Sequence, residues 1–226
     1  MLFMVLGRGR TGSLVADVAH ERGHSVRVVG EEENRNAAAL TAPVLAGFDA
    51  IIDFTTPEAA VQNMRACLAT GAHMVVGTTG WYSHLNDMMA LVERRGGALL
   101  YSANFSIGVQ ALFKVARELA AAAPGYRFHI TETHHATKKD APSGTALTLK
   151  KILEAAHPGL VAEITSKREG EVTGIHEIEA RSDNDVIALK HEAHSRRGFA
   201  EGAVRAAEWV AGKTGCWSFE EIVEKL

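Results

Sequence analysis

The sequence predicts an α/β protein: a Rossmann-like doubly wound parallel sheet plus a second α+β domain with a mixed or antiparallel sheet. Three observations carry this. Short apolar runs alternate with helical periodicity through residues 1–104, and a glycine-rich turn separates the first strand from the first helix. Beyond residue 104 the pattern changes to stretches with period-two alternation or β-branched enrichment.

The elements follow in order. Residues 2–6 form a continuous apolar run ending at glycine, as expected of a strand buried on both faces. Residues 13–22 carry Leu14, Val15, Val18 and Ala19 on one helical face, and Gly23 sits where a left-handed terminator belongs. Strands are expected at 26–29, 50–54, 73–76 and 98–101. Between them Thr56 caps a helix with Pro57 at its first position, ending near Gly71, and a second helix spans about 84–94. The later part predicts a helix over 108–123, a strand over 126–131, a polar loop over 132–142, and a helix capped by Ser143. Strands at 163–168, 174–181 and 185–191, a long helix over 199–211 and a short one over 219–226 complete the reading. Residues 1–104 with 197–226 are thus expected to form a dinucleotide-binding domain, and 105–196 a substrate-binding and oligomerisation domain, with hinges near 104–108 and 196–198.

Composition narrows the class. The 226 residues are 46% hydrophobic and 23% charged, ordinary for a globular protein, and the formal charge of -3 argues against a nucleic-acid partner. Cys67 and Cys216 are too few for a disulfide framework, which points to a reducing, cytoplasmic setting. The apolar residues 1–6 lack the basic leader of a signal peptide, and no run is long enough to span a membrane.

Gly7, Arg8, Gly9, Arg10, Thr11 and Gly12 have G-x-G-x-x-G spacing between a strand and a helix, where backbone N–H groups can meet a pyrophosphate; the alternative is a tight turn with no ligand. Glu31 or Glu32, about 20 residues on, is placed to accept ribose hydroxyls, though residues 31–33 equally suit a solvated loop. Arg35 lies near enough to accept a 2'-phosphate, so NADH and NADPH both stay open. Gly77, Thr78 and Thr79 follow one strand, and Ala103, Asn104 and Phe105 another, at the edge where open parallel sheets bind ligands; either alone reads as ordinary turn chemistry.

The densest signal runs from Glu132 to Ala146. His134, His135, Lys138 and Lys139 precede a helix start at which Ser143 can cap, and the N–H groups of Gly144 and Thr145 with the Thr145 hydroxyl form a carboxylate cradle. A small dicarboxylate substrate fits. A solvated basic loop is the competing reading; a metal site is disfavoured, because adjacent histidines on an extended chain point opposite ways and no H-E-x-x-H or C-x-x-C partner exists.

The stretch from Glu132 to Ala146 resembles the E-x-H-H-x-x-K-x-D-A-P-S-G-T-A motif of the dihydrodipicolinate reductase family, now called 4-hydroxy-tetrahydrodipicolinate reductases. Residues 53–59, 77–79, 104–106 and 191–203 match further family segments in order. The resemblance implies that His134 is a catalytic proton donor or acceptor and Lys138 a second proton donor. It also implies that His135, Gly144 and Thr145 contact substrate, that Gly77, Thr79 and 103–105 contact the nicotinamide side, and that the chain is a homotetramer built through its second domain. Three departures stand out. The phosphate loop is one residue shorter than the family's usual form, with Thr11 in place of Met; Ala136 stands where arginine is common; and the segment 33–49 is short, so the middle of the nucleotide domain is expected to lack an element. Another amino-acid-pathway dehydrogenase, or a non-enzymatic nucleotide sensor, would share the first half but not the His-His-x-x-Lys and Ser-Gly-Thr stretch.

Overall fold

A computed structural model describes all residues, Met1–Leu226. The chain divides into two compact units, Met1–Ser106 with Arg197–Leu226, and Ile107–Arg196.

The first unit is built on strands β1 (Leu2–Leu6), β2 (Ser25–Val29), β3 (Ala50–Asp53), β4 (His73–Val76), β5 (Ala98–Tyr101) and β10 (Gly215–Ser218). They form one parallel sheet in the order β10-β5-β4-β3-β1-β2. The central strands read as unbroken apolar runs because both their faces are covered: Phe3, Met4, Val5, Ile51, Ile52, Met74, Val75, Leu99 and Leu100 are fully buried. Helices α1 (Arg10–Glu21), α3 (Pro57–Ala69), α4 (Leu85–Arg95) and α7 (Arg197–Val210) supply the cover. Thr56 caps α3 by accepting from the Ala59 N–H at 3.4 Å, and Gly96 ends α4 in the left-handed region.

Two elements escape the sequence reading. β10 is a Gly-Cys-Trp-Ser stretch with no apolar run, recruited as the sixth strand by pairing with β5. A one-turn helix α2 (Ala42–Leu45), with proline in its first turn, occupies the shortened middle of this unit. No helix is long and apolar enough to cross a membrane.

The second unit packs α5 (Ile107–Ala122) and α6 (Gly144–Ala156) on one face of a mixed sheet, order β7-β6-β8-β9, formed by β6 (Arg127–His134), β7 (Glu163–Arg168), β8 (Ile175–Arg181) and β9 (Val186–Glu192). β7 is parallel to β6, and β8 is antiparallel to both β6 and β9. The period-two alternation is plain in β8, where His176, Ile178 and Ala180 are buried and their neighbours are not. The polar loop expected from residue 132 begins later: ladders on both sides carry β6 through Thr133, and on the β7 side through His134, so Glu132 and His134 are buried strand residues.

Candidate active site

In the first unit the carboxyl ends of β1, β3 and β4 converge on a cleft of about 310 Å³. Gly9, Arg10 and Thr11 form one wall, Phe54, Thr55 and Pro57 another, and Gly77, Thr78 and Thr79 the third. The glycine-rich turn and the turn after β4 are therefore brought together, at the edge where an open parallel sheet binds ligands. Close backbone approach builds the turn. Gly7 has φ +104°, and a Cβ there would lie 2.2 Å from the Phe54 carbonyl oxygen; at Gly12 it would lie 2.2 Å from the carbonyl of Gly7. These two glycines hold strand to strand and helix to strand, whereas nothing lies within 4 Å of a Cβ built on Gly9. The middle glycine is the one open to a ligand. α1 starts at Arg10, three residues earlier than the periodicity indicates, because Gly9 takes the extended cap conformation; the first-turn N–H groups of Arg10, Thr11 and Gly12 thus have no carbonyl within the helix.

The acidic segment after β2 is a turn at the edge of the sheet. Glu31 and Glu32 are exposed, and it is Glu33 that reaches the glycine-rich turn, at 3.4 Å from Arg8 and 2.8 Å from Arg27. Ala103 is exposed; Asn104 is tied into its own turn through Ser102 Oγ and the Ser106 N–H. Phe105 is 2% exposed, against Phe219, so its ring belongs to the core and only its backbone is left for a ligand. This segment follows β5 and does not line the cleft. Thr78 is buried, its hydroxyl taken up inside the protein, while Thr79 is exposed.

In the second unit the register explains the site. The helix-covered face of the sheet has an apolar row, Ile164, Ile130, Ile178 and Leu189. The next row reads Ser166, Glu132, His176 and His191, and the one after it holds Arg168 and His134. Polar chemistry thus begins two residues along each strand from the core, at the end where α6 starts. Glu132, fully buried, accepts two bonds from the Ser143 N–H at 3.0 and 3.1 Å and lies 3.3 Å from the Arg168 guanidinium. Burial alone would raise the Glu132 carboxyl; hydrogen bonds from Ser143 and Ser166, with His134 beside it, outweigh that and hold it below its ordinary value. Ser143 also caps α6 by accepting from the Ala146 N–H at 3.2 Å.

His134 sits 3.7 Å from Glu132 and edge-on to His176, with ring centroids 5.2 Å apart. Gly174 leaves room for it, since a Cβ there would lie 3.2 Å from its Nε2. Burial lowers the His134 imidazole from its ordinary value, and Glu132 opposes the shift. His176 is pushed down to about 4, by burial first and by His134 next. Lys138 lies on the turn after β6, with its ammonium 2.7 and 2.8 Å from the Asp140 carboxylate. Arg168 braces that turn by donating to the carbonyls of Lys138 and Asp140. His135 is bonded to Thr137 at 2.8 Å. Gly144 and Thr145 open α6, Gly144 exposed and Thr145 half-buried. Ala136 is exposed.

Glu132, His134 and His176 could in principle hold a metal ion, their ligand atoms lying within 4.8 Å of one another. The donor set fits poorly. Glu132 is already occupied by the Ser143 N–H, shared between its two oxygens, and by a guanidinium, whose charge opposes a second cation at the same carboxylate. The cluster is a buried network of hydrogen bonds and charge contacts around Glu132. His176, Arg168 and the buried role of Glu132 were not picked out from sequence, because they meet through strand register; the alternation in 174–181 places His176 on the core side, but nothing local pairs it with residue 132.

Comparison with known proteins bears on the whole chain. Residues 1–105 match the family described as Dihydrodipicolinate reductase, N-terminus, and residues 108–223 the family described as Dihydrodipicolinate reductase, C-terminus. A 4-hydroxy-tetrahydrodipicolinate reductase of Natronomonas pharaonis is 38% identical over 95% of this chain and 96% of its own. One from Christiangramia forsetii is 32% identical over 100% and 99%. Among solved structures, a dipicolinate-bound dihydrodipicolinate reductase from Paenisporosarcina sp. TG-14 superimposes with a TM-score of 0.81 at 23% identity, over 98% of this chain and 99% of that one, which shows a shared fold. With both halves matched in order and relatives aligned nearly end to end, the chain belongs to the dihydrodipicolinate reductase family.

Proposed function

We propose that the chain reduces 4-hydroxy-tetrahydrodipicolinate to tetrahydrodipicolinate with NADH or NADPH, in lysine and diaminopimelate biosynthesis. The observation that carries this reading is the site at the end of β6: a buried imidazole, an ammonium and the amino end of α6 in one neighbourhood of a family member. The cleft beside the glycine-rich turn suits a dinucleotide, because Gly9 leaves open space next to the unpaired N–H groups of α1. Bound there, NAD(P)H would supply the hydride.

The chain's own residues do the rest. Gly144 and Thr145, at the amino end of α6, orient one carboxylate of the substrate, and His135 also contacts the substrate. Lys138 offsets the negative charge that develops as the conjugated imine, formed by loss of the hydroxyl, takes up hydride, and it donates a proton to the ring. Burial keeps His134 neutral near pH 7, so it accepts and relays protons, oriented by Glu132 and His176. Gly7, Arg8, Arg10, Thr11, Gly12, Glu31, Gly77, Thr78, Thr79, Ala103, Asn104 and Phe105 remain the proposed dinucleotide side, with Glu33 added through its contact with Arg8. A cytoplasmic homotetramer assembled through the unit 107–196 completes the reading; two free cysteines suit a reducing compartment.

The test is a coupled assay of NADH and NADPH oxidation with freshly made substrate. His134→Gln and Lys138→Ala should each lower kcat by about 10²-fold to 10⁴-fold, with dinucleotide affinity within about twofold of the unsubstituted chain. Unchanged turnover in both variants would refute the assigned roles.

A further inference from the structure

Beneath the cleft runs a buried polar chain that the roles above leave unexplained. Asp53, the last residue of β3, is fully buried. Its Oδ1 accepts from the Thr55 N–H at 3.1 Å, the Thr55 hydroxyl at 2.7 Å and the Thr78 hydroxyl at 2.8 Å. Its Oδ2 accepts from the Asn63 side chain at 2.8 Å, and Asn63, on α3 and 1% exposed, accepts in turn from the Asn34 side chain at 2.8 Å. Asn34 belongs to the turn after β2. Its Oδ1 accepts from the Ala39 N–H at 3.2 Å, and its own N–H donates to the Gly30 carbonyl at 3.1 Å.

Two features make this more than core filling. A buried carboxylate is costly to desolvate, and Asp53 has hydrogen-bond donors but no basic side chain bonded to it, so a nonpolar residue would serve packing better. The segment it reaches through Asn34 also holds Asn36 and Ala37 at φ 55° and 60°, a strained backbone that persists only where its surroundings fix it. The two ends of the chain are telling. In a doubly wound sheet the turn after the second strand meets the adenosine half of a dinucleotide, while the turns carrying Thr55 and Thr78 wall the cleft further along the sheet.

We propose that Asp53 and Asn63 are positioning residues for the dinucleotide, bracing the adenosine-side turn at Asn34 against the nicotinamide-side turns at Thr55 and Thr78. The inference rests on the reading that this cleft takes NAD(P)H, and touches none of the groups assigned to proton transfer. The brace acts through the backbone it fixes, so it governs affinity for the dinucleotide and leaves the dicarboxylate site alone.

Titration of the full chain with NADH, NADPH, ADP-ribose and pyridine-2,6-dicarboxylate tests this. Asn63→Leu should raise the Kd of both the reduced dinucleotide and ADP-ribose about tenfold, the worth of one buried hydrogen bond. Thr78→Val should raise the Kd of the dinucleotide similarly while ADP-ribose stays within about twofold, and Thr78→Ser should restore it. Asn34→Ala, at a half-buried position, repeats the first experiment should Asn63→Leu fail to fold. Dicarboxylate affinity should hold throughout. Variants that bind the dinucleotide as the unsubstituted chain does, or that weaken all four ligands alike, would overturn the brace. An unsubstituted chain that binds dicarboxylate but neither NADH nor NADPH would instead overturn the reading of the cleft on which it rests.

Discussion

His176 makes stability depend on pH in a way that can be isolated. The ring is buried, its Nε2 lies 3.3 Å from Ser143 Oγ, and its Nδ1 has no hydrogen-bond partner, so a second proton would leave a charged ring with an unsatisfied N–H. Burial and the neighbouring His134 push it from 6.5 down to about 4, against the pull of Glu132. The unfolded chain titrates near the ordinary value, so between the two it binds a proton that the folded protein refuses. The stabilisation is therefore complete above pH 6.5 and is lost as the pH falls towards 4. At about 1.4 kcal/mol per pH unit, the interval amounts to about 3 kcal/mol. His134 and His191 are shifted in the same direction, so the comparison must be with a variant. Urea unfolding followed by far-ultraviolet circular dichroism, for the unsubstituted chain and His176→Gln, should give a stability difference that falls by about 3 kcal/mol between pH 7 and pH 4. The His176 ring resonance should titrate near 4. Parallel pH dependences, or a ring that titrates at 6.5, would refute the account.

Two further outcomes follow from packing and charge. A Cβ on Gly202 of α7 would lie 1.8 Å from the Phe105 carbonyl oxygen, so Gly202→Ala should lower thermal stability by about 3 kcal/mol, read as a fall in Tm, although the substitution favours helix. Arg168→Met should cost about 2 kcal/mol, because Glu132 keeps its Ser143 bonds but loses its cation; adding Glu132→Gln should recover part of that in denaturant unfolding, and a double variant as weak as the sum of the singles would argue against the pairing.

The sequence carried the parallel half of the fold well, for a physical reason. β1, β3, β4 and β5 are buried on both faces and are apolar except at Asp53 and His73, and Thr56-Pro57 and Gly71 mark helix ends locally. β10 stayed hidden because its place is decided by pairing with β5 rather than by its own composition. In the candidate site, His134 and Lys138 stand within one motif and were legible, whereas His176 and Arg168 come from other strands and meet them only through register. Spacing from the glycine-rich turn points to Glu31 or Glu32, whereas the contacts of Glu33 with Arg8 and Arg27 depend on packing that the spacing does not encode. A charged residue is rare in a core, so the sequence reading puts Glu132 in a loop; its burial depends on Ser143 and Arg168 lying close by in space.

β6 lies inside its sheet, laddered to β7 on one side and β8 on the other. A slip of one residue would break both ladders and turn the His134 imidazole to the opposite face, so that group is as fixed as the core rows beside it. Lys138, four residues further on, answers to no ladder; its ammonium is held by the Asp140 carboxylate, and its carbonyl accepts from the Arg168 guanidinium. Mutation can therefore reshape the loop while the imidazole stays where the strands have locked it.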